Sequence, residues 1–293
     1  MSLSSSFADL SSNSSFNPFV KCFTTRTSIH IFSAFSITNL LLLPVFTFVL
    51  YLGFQRWRKQ RSTATSHSDI FTYHCVAMQL NELFGFILYF TGSNMDLLNL
   101  ALVGFCVGSV TVLGKALLHI LTCVERYLAI VHPVTYLRLK QAGGVKIRNI
   151  SLGCVWLITF GCLPAAILCP PQVISGLNIC TLTFALIETF FCSVSVLRAL
   201  RRPGPGDKGA TGERVDQSKQ RAFYTIMGIM GVLSLSFGAN AVATVMYGSV
   251  GYDEMCLVMM ATYWFDMPSS LVLPLLFLHR AGKLQCCKPN AES

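Results

Sequence analysis

Glu82, Lys115, Glu188 and Asp266 stand inside long apolar stretches of this 293-residue chain. A charged group in hydrocarbon is costly and is kept where it has a partner or a task. The run that carries Lys115 ends in Glu125-Arg126-Tyr127, and Pro133 stops it shortly afterwards. An acid, a base and an aromatic at the end of an apolar helix can anchor it at a membrane surface, or offer a switchable ion pair to a partner there. Metal and covalent chemistry have poorer candidates. His30, His67, His74, His119, His132 and His279 are scattered without a short paired spacing, so no metal centre or other cofactor is expected. No Gly-rich phosphate loop or nucleophile elbow occurs, and the chain is not expected to be an enzyme.

The elements that position these groups follow from composition. Charged residues are 12% of the chain and hydrophobic ones 53%, where a soluble domain carries roughly 25% charge. So little charge cannot cover a soluble surface of this size, and the bilayer is the natural solvent for the apolar surplus. A helical span needs about 20 apolar residues. Seven stretches qualify: Ile29–Phe54, Ile70–Gly92, Asp96–Val131, Ile150–Cys169, Leu177–Ala199, Ala222–Gly248 and Cys256–His279. The expected fold is an all-α membrane protein. A seven-transmembrane helix bundle fills residues 29–279, between an N-terminal tail over 1–28 and a C-terminal tail over 280–293. The N-terminal tail is Ser-rich and lacks the basic and apolar regions of a signal peptide, so the first span is expected to direct insertion.

Orientation follows from the bases, because Lys and Arg concentrate in cytoplasmic loops. With the N-terminus outside, 19 of the 22 bases fall on the inner side, Lys21 and Arg26 lie outside, and Lys115 lies in the membrane. The net charge of +9 therefore reads as topology and contact with anionic membrane lipids, not as nucleic-acid binding. Asn13-Ser14-Ser15 offers Asn13 for glycosylation on the outer tail. On the inner side Cys286 and Cys287 follow the basic stretch Arg280–Lys283, where palmitoyl chains would add a second membrane attachment.

Seven spans, an outer N-terminus and Glu125-Arg126-Tyr127 at the inner end of the third span together resemble the rhodopsin-like G-protein-coupled receptors. Trp156 with Pro164 eight residues on, and Pro133 seven residues after Arg126, agree with that family. Leu273-Pro274-Leu275-Leu276-Phe277 occupies the place of its Asn-Pro-x-x-Tyr. The resemblance runs from Ile29 to Lys288. It implies a plasma-membrane receptor that passes the signal of an extracellular ligand to a heterotrimeric G protein, with a short amphipathic eighth helix after the last span. It also implies that Arg126 pairs with Glu125 at rest and is released toward the G protein when the sixth span swings outward. Pro274 and Phe277 would belong to the same switch.

Several positions depart from the family. Its usual disulfide cysteine in the third span falls at Ala101, with Cys106 nearest. The cysteines this topology leaves near the oxidising side are Cys22, Cys169, Cys180 and Cys256. Cys22–Cys256 and Cys169–Cys180 are candidate pairings, and spacing does not choose among them. The sixth span has neither tryptophan nor proline. The sodium-binding acid of the family's second span corresponds to Glu82, with Asn81 as the other candidate, and Lys115 takes the place of the serine facing it. Its ammonium is expected where the ion would sit, held by Glu82 with Asp266 as a further partner. Glu188 is a candidate ligand contact. Two other readings use the same residues. One is a seven-span carrier with a polar path through Glu82, Lys115, Glu188 and Asp266. The other is a receptor-like chain that no longer couples and acts as a decoy.

Overall fold

The described part of each of the seven apolar stretches is helical in the computed structural model, which describes residues 26–59, 67–95, 97–139, 142–168, 171–201, 212–246 and 252–281, Leu97 alone preceding its helix. Eight helices occupy them: α1 (Arg26–Lys59), α2 (His67–Asn94), α3 (Leu98–Val131), α4 (Pro133–Leu139), α5 (Ala142–Leu168), α6 (Pro171–Arg201), α7 (Gly212–Met246) and α8 (Tyr252–Arg280). No strand occurs among the described residues. Hydrocarbon offers no water to backbone N–H and C=O groups, so a spanning segment must satisfy its own. Pro133 ends the third apolar run as expected but also opens α4, because a proline at the first helical position loses no hydrogen bond. Pro171 opens α6 in the same way, six residues ahead of the expected span.

α3 is the central element. It packs on α2, α4, α5 and α6, while α8 closes the ring against α1, α2 and α7. Among the described residues five helices hold a stretch long and apolar enough to cross a membrane: Ser33–Arg56, Asn99–Val131, Gly143–Pro164, Ile179–Ala199 and Met227–Met246. α2 and α8 are helical but not among the five. Their polarity is turned inward: Gln79 and Glu82 of α2, and Thr262, Asp266 and Ser269 of α8, are buried. Outward-facing Leu41, Leu157, Ile187 and Phe190 make the bundle's exterior apolar, the surface of a membrane protein.

The seam between α2 and α3 is the tightest in the bundle, and glycine makes it so. A Cβ at Gly104 would overlap the Tyr89 backbone nitrogen and the Gly85 carbonyl oxygen. At Gly85 it would lie 2.9 Å from both the Gly104 oxygen and the Gly108 nitrogen. Backbone cannot move aside as a flexible side chain can, so the two helices would have to part. Gly153 and Gly161 on α5 face open space instead. Gly104→Val is therefore expected to destabilise the bundle by about 1–3 kcal/mol or more, whereas Gly153→Ala should leave it at least as stable. Thermal unfolding of the purified variants reads the difference, and equal melting temperatures would refute the close-packed seam.

Candidate functional site

Lys115 lies midway along α3 and is 6% exposed, and Glu82 on α2 is 1% exposed. Their ion pair is short, with Lys115 Nζ 2.7 Å from Glu82 Oε2. Lys115 also donates to Gln79 Oε1 at 3.3 Å. Gln79 lies one turn from Glu82, on the same face of α2, and its amide passes the contact on. Nε2 donates to Asn39 Oδ1 of α1 at 3.2 Å, and Asn39 Nδ2 donates to the Phe35 carbonyl at 3.0 Å. A polar chain thus runs from α3 through α2 to α1. Asn81 is turned elsewhere, donating to Thr111 Oγ1 at 2.9 Å. Glu82 is the acid that meets the lysine.

Asp266 enters the same centre from α8 and lies close enough for its charge to act on both Lys115 and Glu82. The expectation of a direct hold on the ammonium needs correcting. Asp266 makes no ion pair with Lys115 within 4 Å; its Oδ1 accepts hydrogen bonds from Ser236 Oγ and, at 3.0 Å, from Asn240 Nδ2, both on α7. Short donors one turn apart on α7 reach the carboxylate first. Its backbone carbonyl is occupied too, by Ser269 Oγ at 2.7 Å and Ser270 Oγ at 3.1 Å. Glu188, on α6, stands apart from this centre and near Cys123 and Cys192. It does not line the groove of about 620 Å³ formed by Leu186, Ile187, Phe190, Phe191, Val194 and Arg198 beside α7.

At the far end of α3, Glu125 is buried. Consecutive residues of a helix point about 100° apart, and Glu125 turns toward α4, where the Tyr136 hydroxyl donates to its Oε1 at 3.1 Å. Tyr127 packs edge-on against His132, with its hydroxyl 3.2 Å from Nε2, and lies 5.9 Å from the Phe191 ring of α6. Pro274 and Phe277 are both buried in α8. The Phe277 ring meets Tyr73 edge-on at 5.4 Å and carries the Arg56 guanidinium on its face at 4.8 Å. Arg56 reaches Asp69 as well, at 3.3 Å. This clasp of α1, α2 and α8 has no counterpart in the sequence reading; a base ending one apolar stretch and an acid preceding the next were its only trace. Asn39, Ser236 and Asn240 were missed too, although each is a polar residue inside an apolar run. Trp156, on α5, donates through Nε1 to His74 Nδ1 of α2 at 3.0 Å.

Cys180 is corrected as a disulfide candidate. Its thiol is free and exposed on α6, because the helix has already begun at Pro171 and carries Cys180 along its outer face. Asn13, Cys22, Cys169, Cys286, Cys287 and the expected eighth helix lie outside the described residues, as does the side chain of Cys256. Compared with known proteins, the chain matches no family model and no curated protein sequence.

The ion pair sets up a comparison of variants. Removing one partner of a buried pair costs about 3–5 kcal/mol, because the other charge is left uncompensated. Lys115→Met strands Glu82 and Asp266 together without their cation and is expected to cost that much. Glu82→Gln should cost less, since Asp266 remains as a nearby counter-charge. The double variant Glu82→Gln/Lys115→Met is expected to recover much of the loss. Unfolding temperatures in detergent give the order, and a Lys115→Met protein as stable as the wild type would contradict it.

Proposed function

We propose that this chain is a rhodopsin-like G-protein-coupled receptor of the plasma membrane. Its seven long helices each span the bilayer, the N-terminus faces outward, and the tail after α8 forms a short interfacial helix. The observation that carries the reading is the placing of Glu125-Arg126-Tyr127 at the end of the central helix α3. There the acid is tied to the short helix α4 by Tyr136, and bases crowd the neighbouring helix ends, Arg56 and Arg58 on α1 and Arg148 on α5. α2 and α8 cross the membrane despite their lower apolarity because their polar side chains are buried against one another and not against lipid.

In this reading an extracellular ligand shifts the bundle between two arrangements, and Arg126 meets the G-protein α subunit in one of them. Glu188 is the candidate ligand contact, and because it lies beside Cys123, one turn before Arg126, a ligand reaching it from outside enters deep into the bundle. The chemical class of the ligand is left open. A charge-assisted contact of the kind assigned to Arg126 is worth about 1.5–3 kcal/mol, so Arg126→Ala is expected to lower G-protein activation roughly tenfold or more at equal surface level. Undiminished coupling would overturn the assignment. Because the Lys115 ammonium already pairs with Glu82, replacing sodium by a large organic cation is expected to leave basal signalling unchanged. A clear sodium response would contradict that part of the reading.

A further inference from the structure

The polar centre of the bundle is one positive charge short. Glu82 and Asp266 bring two carboxyl groups into it, both buried, and Lys115 is the only cation acting on either of them among the described residues. The other groups around the centre do not make up the difference. α2 adds the Cys75 thiol, α3 adds His119 and α8 adds the Tyr263 phenol. His119 packs edge-on against Phe237, and no ion pair of its ring occurs among the described residues. α7 presents the neutral Ser236 and Asn240, and α1 the neutral Asn39. With both acids ionised, the set would carry an uncompensated negative charge in a dry interior, which is expensive.

A second observation is independent of that count. Each carboxyl group has one buried oxygen without a hydrogen-bond partner, Glu82 Oε1 and Asp266 Oδ2. The remaining oxygens are held in different ways. Glu82 Oε2 meets the ammonium at 2.7 Å, as an ionised carboxylate does. Asp266 Oδ1 accepts only from the neutral donors Ser236 and Asn240, which suits the carbonyl oxygen of an un-ionised acid. That leaves Oδ2 as the oxygen to bear the hydrogen.

We propose that this centre is a binding site for one proton, carried as an O–H bond on Asp266 Oδ2, so that Glu82, Lys115 and Asp266 together are neutral. A hydronium ion of the solvent supplies the proton: one of its O–H bonds breaks, the O–H bond on Asp266 Oδ2 forms, a neutral water is left, and no other protein group changes its charge. Glu82 Oε1 is the acceptor that remains for this hydrogen, directly or across a water molecule. One proton thus answers both unpartnered oxygens. By the same count the centre has no charge left for a sodium ion to balance. The inference stands on the interior of the bundle and is independent of whether the chain couples to a G protein.

Infrared difference spectroscopy tests it on the full-length protein in nanodiscs of zwitterionic lipid, comparing neutral with alkaline pH. The carbonyl-stretch band of a protonated carboxyl is expected at neutral pH, shifted in heavy water and lost at alkaline pH. Asp266→Asn should abolish it. Glu82→Gln should abolish it too, because Lys115 then has Asp266 as its sole counter-charge and Asp266 ionises; this variant keeps the test intact if Asp266→Asn fails to fold. A folded wild-type protein without the band, or a band unchanged in both variants, overturns the proposal. So does a saturable rise in melting temperature when sodium replaces choline at fixed pH, which would make the missing charge a metal ion.

Discussion

An ammonium in the middle of an apolar bundle cannot draw on water, and the arrangement of α1, α2, α3, α7 and α8 is organised around that constraint. Lys115 sits on the central helix, so its partners must come from outside α3. Glu82 and Gln79 come from one face of α2, Asn39 follows from α1, and Asp266 is held in place by Ser236 and Asn240 of α7. A buried lysine costs at least a few kcal/mol unless compensated, a large share of the 5–15 kcal/mol by which folded domains are typically stable. The close approach of α2 and α3 is part of the same solution. Gly85 lies one turn beyond Glu82 on α2, and with Gly104 and Gly108 it lets the two backbones touch. The 2.7 Å ion pair lies along this same seam.

The helix that carries the lysine also carries Glu125-Arg126-Tyr127, and the two sites constrain each other through it. α7 is the helix that would move in a receptor, and it lacks a proline that could let one half bend independently of the other. Its hold on the centre is the pair of hydrogen bonds from Ser236 and Asn240 to Asp266. A swing of the Arg126 end of α7 must therefore pivot at those two residues or break with them. In the rhodopsin-like receptors a proline supplies the bend; α7 has none, and what ties its middle to α8 is this polar contact. The charge state of Asp266 then bears directly on how firmly α7 is held.

The helices and the Lys115–Glu82 pair were legible in the sequence for one reason. A long apolar run has a single stable backbone solution in hydrocarbon, and a mid-run charge demands a partner of opposite sign. What escaped was which neutral residue meets which. Asn39, Ser236 and Asn240 lie 26 to 40 positions from the groups they bond, and nothing in a short polar side chain says which helix it will face. Tyr136 carried no signal in the sequence: Pro133 begins a helix that turns its hydroxyl onto Glu125. Arg56 was read as a topological marker, and it is that, yet its guanidinium also stacks on Phe277. The mistaken step was Cys180. Position near an outer end suggested a disulfide, whereas the early start of α6 makes it one more residue on the face of a span.

The closed surroundings of the polar centre weigh on the choice between a receptor and a carrier. A carrier needs polar groups strung along the bundle axis so that a solute or proton can pass from group to group. On one side the rings of Phe35, Phe86 and Tyr263 meet one another at 5.4 to 5.6 Å, with the Tyr263 phenol turned to the centre and the two phenylalanines closing it. On the other side Met78, Leu118 and Leu273 pack together as a buried apolar cluster. Glu188, which would have to continue the path, belongs to another part of the bundle, beside Cys123 and Cys192. Polar groups enclosed above and below by packed apolar side chains form an island. An island of charge can set the balance between two arrangements of the helices around it, whereas a path requires those apolar caps to open in turn. Among the described residues that packing offers a carrier no continuous polar path.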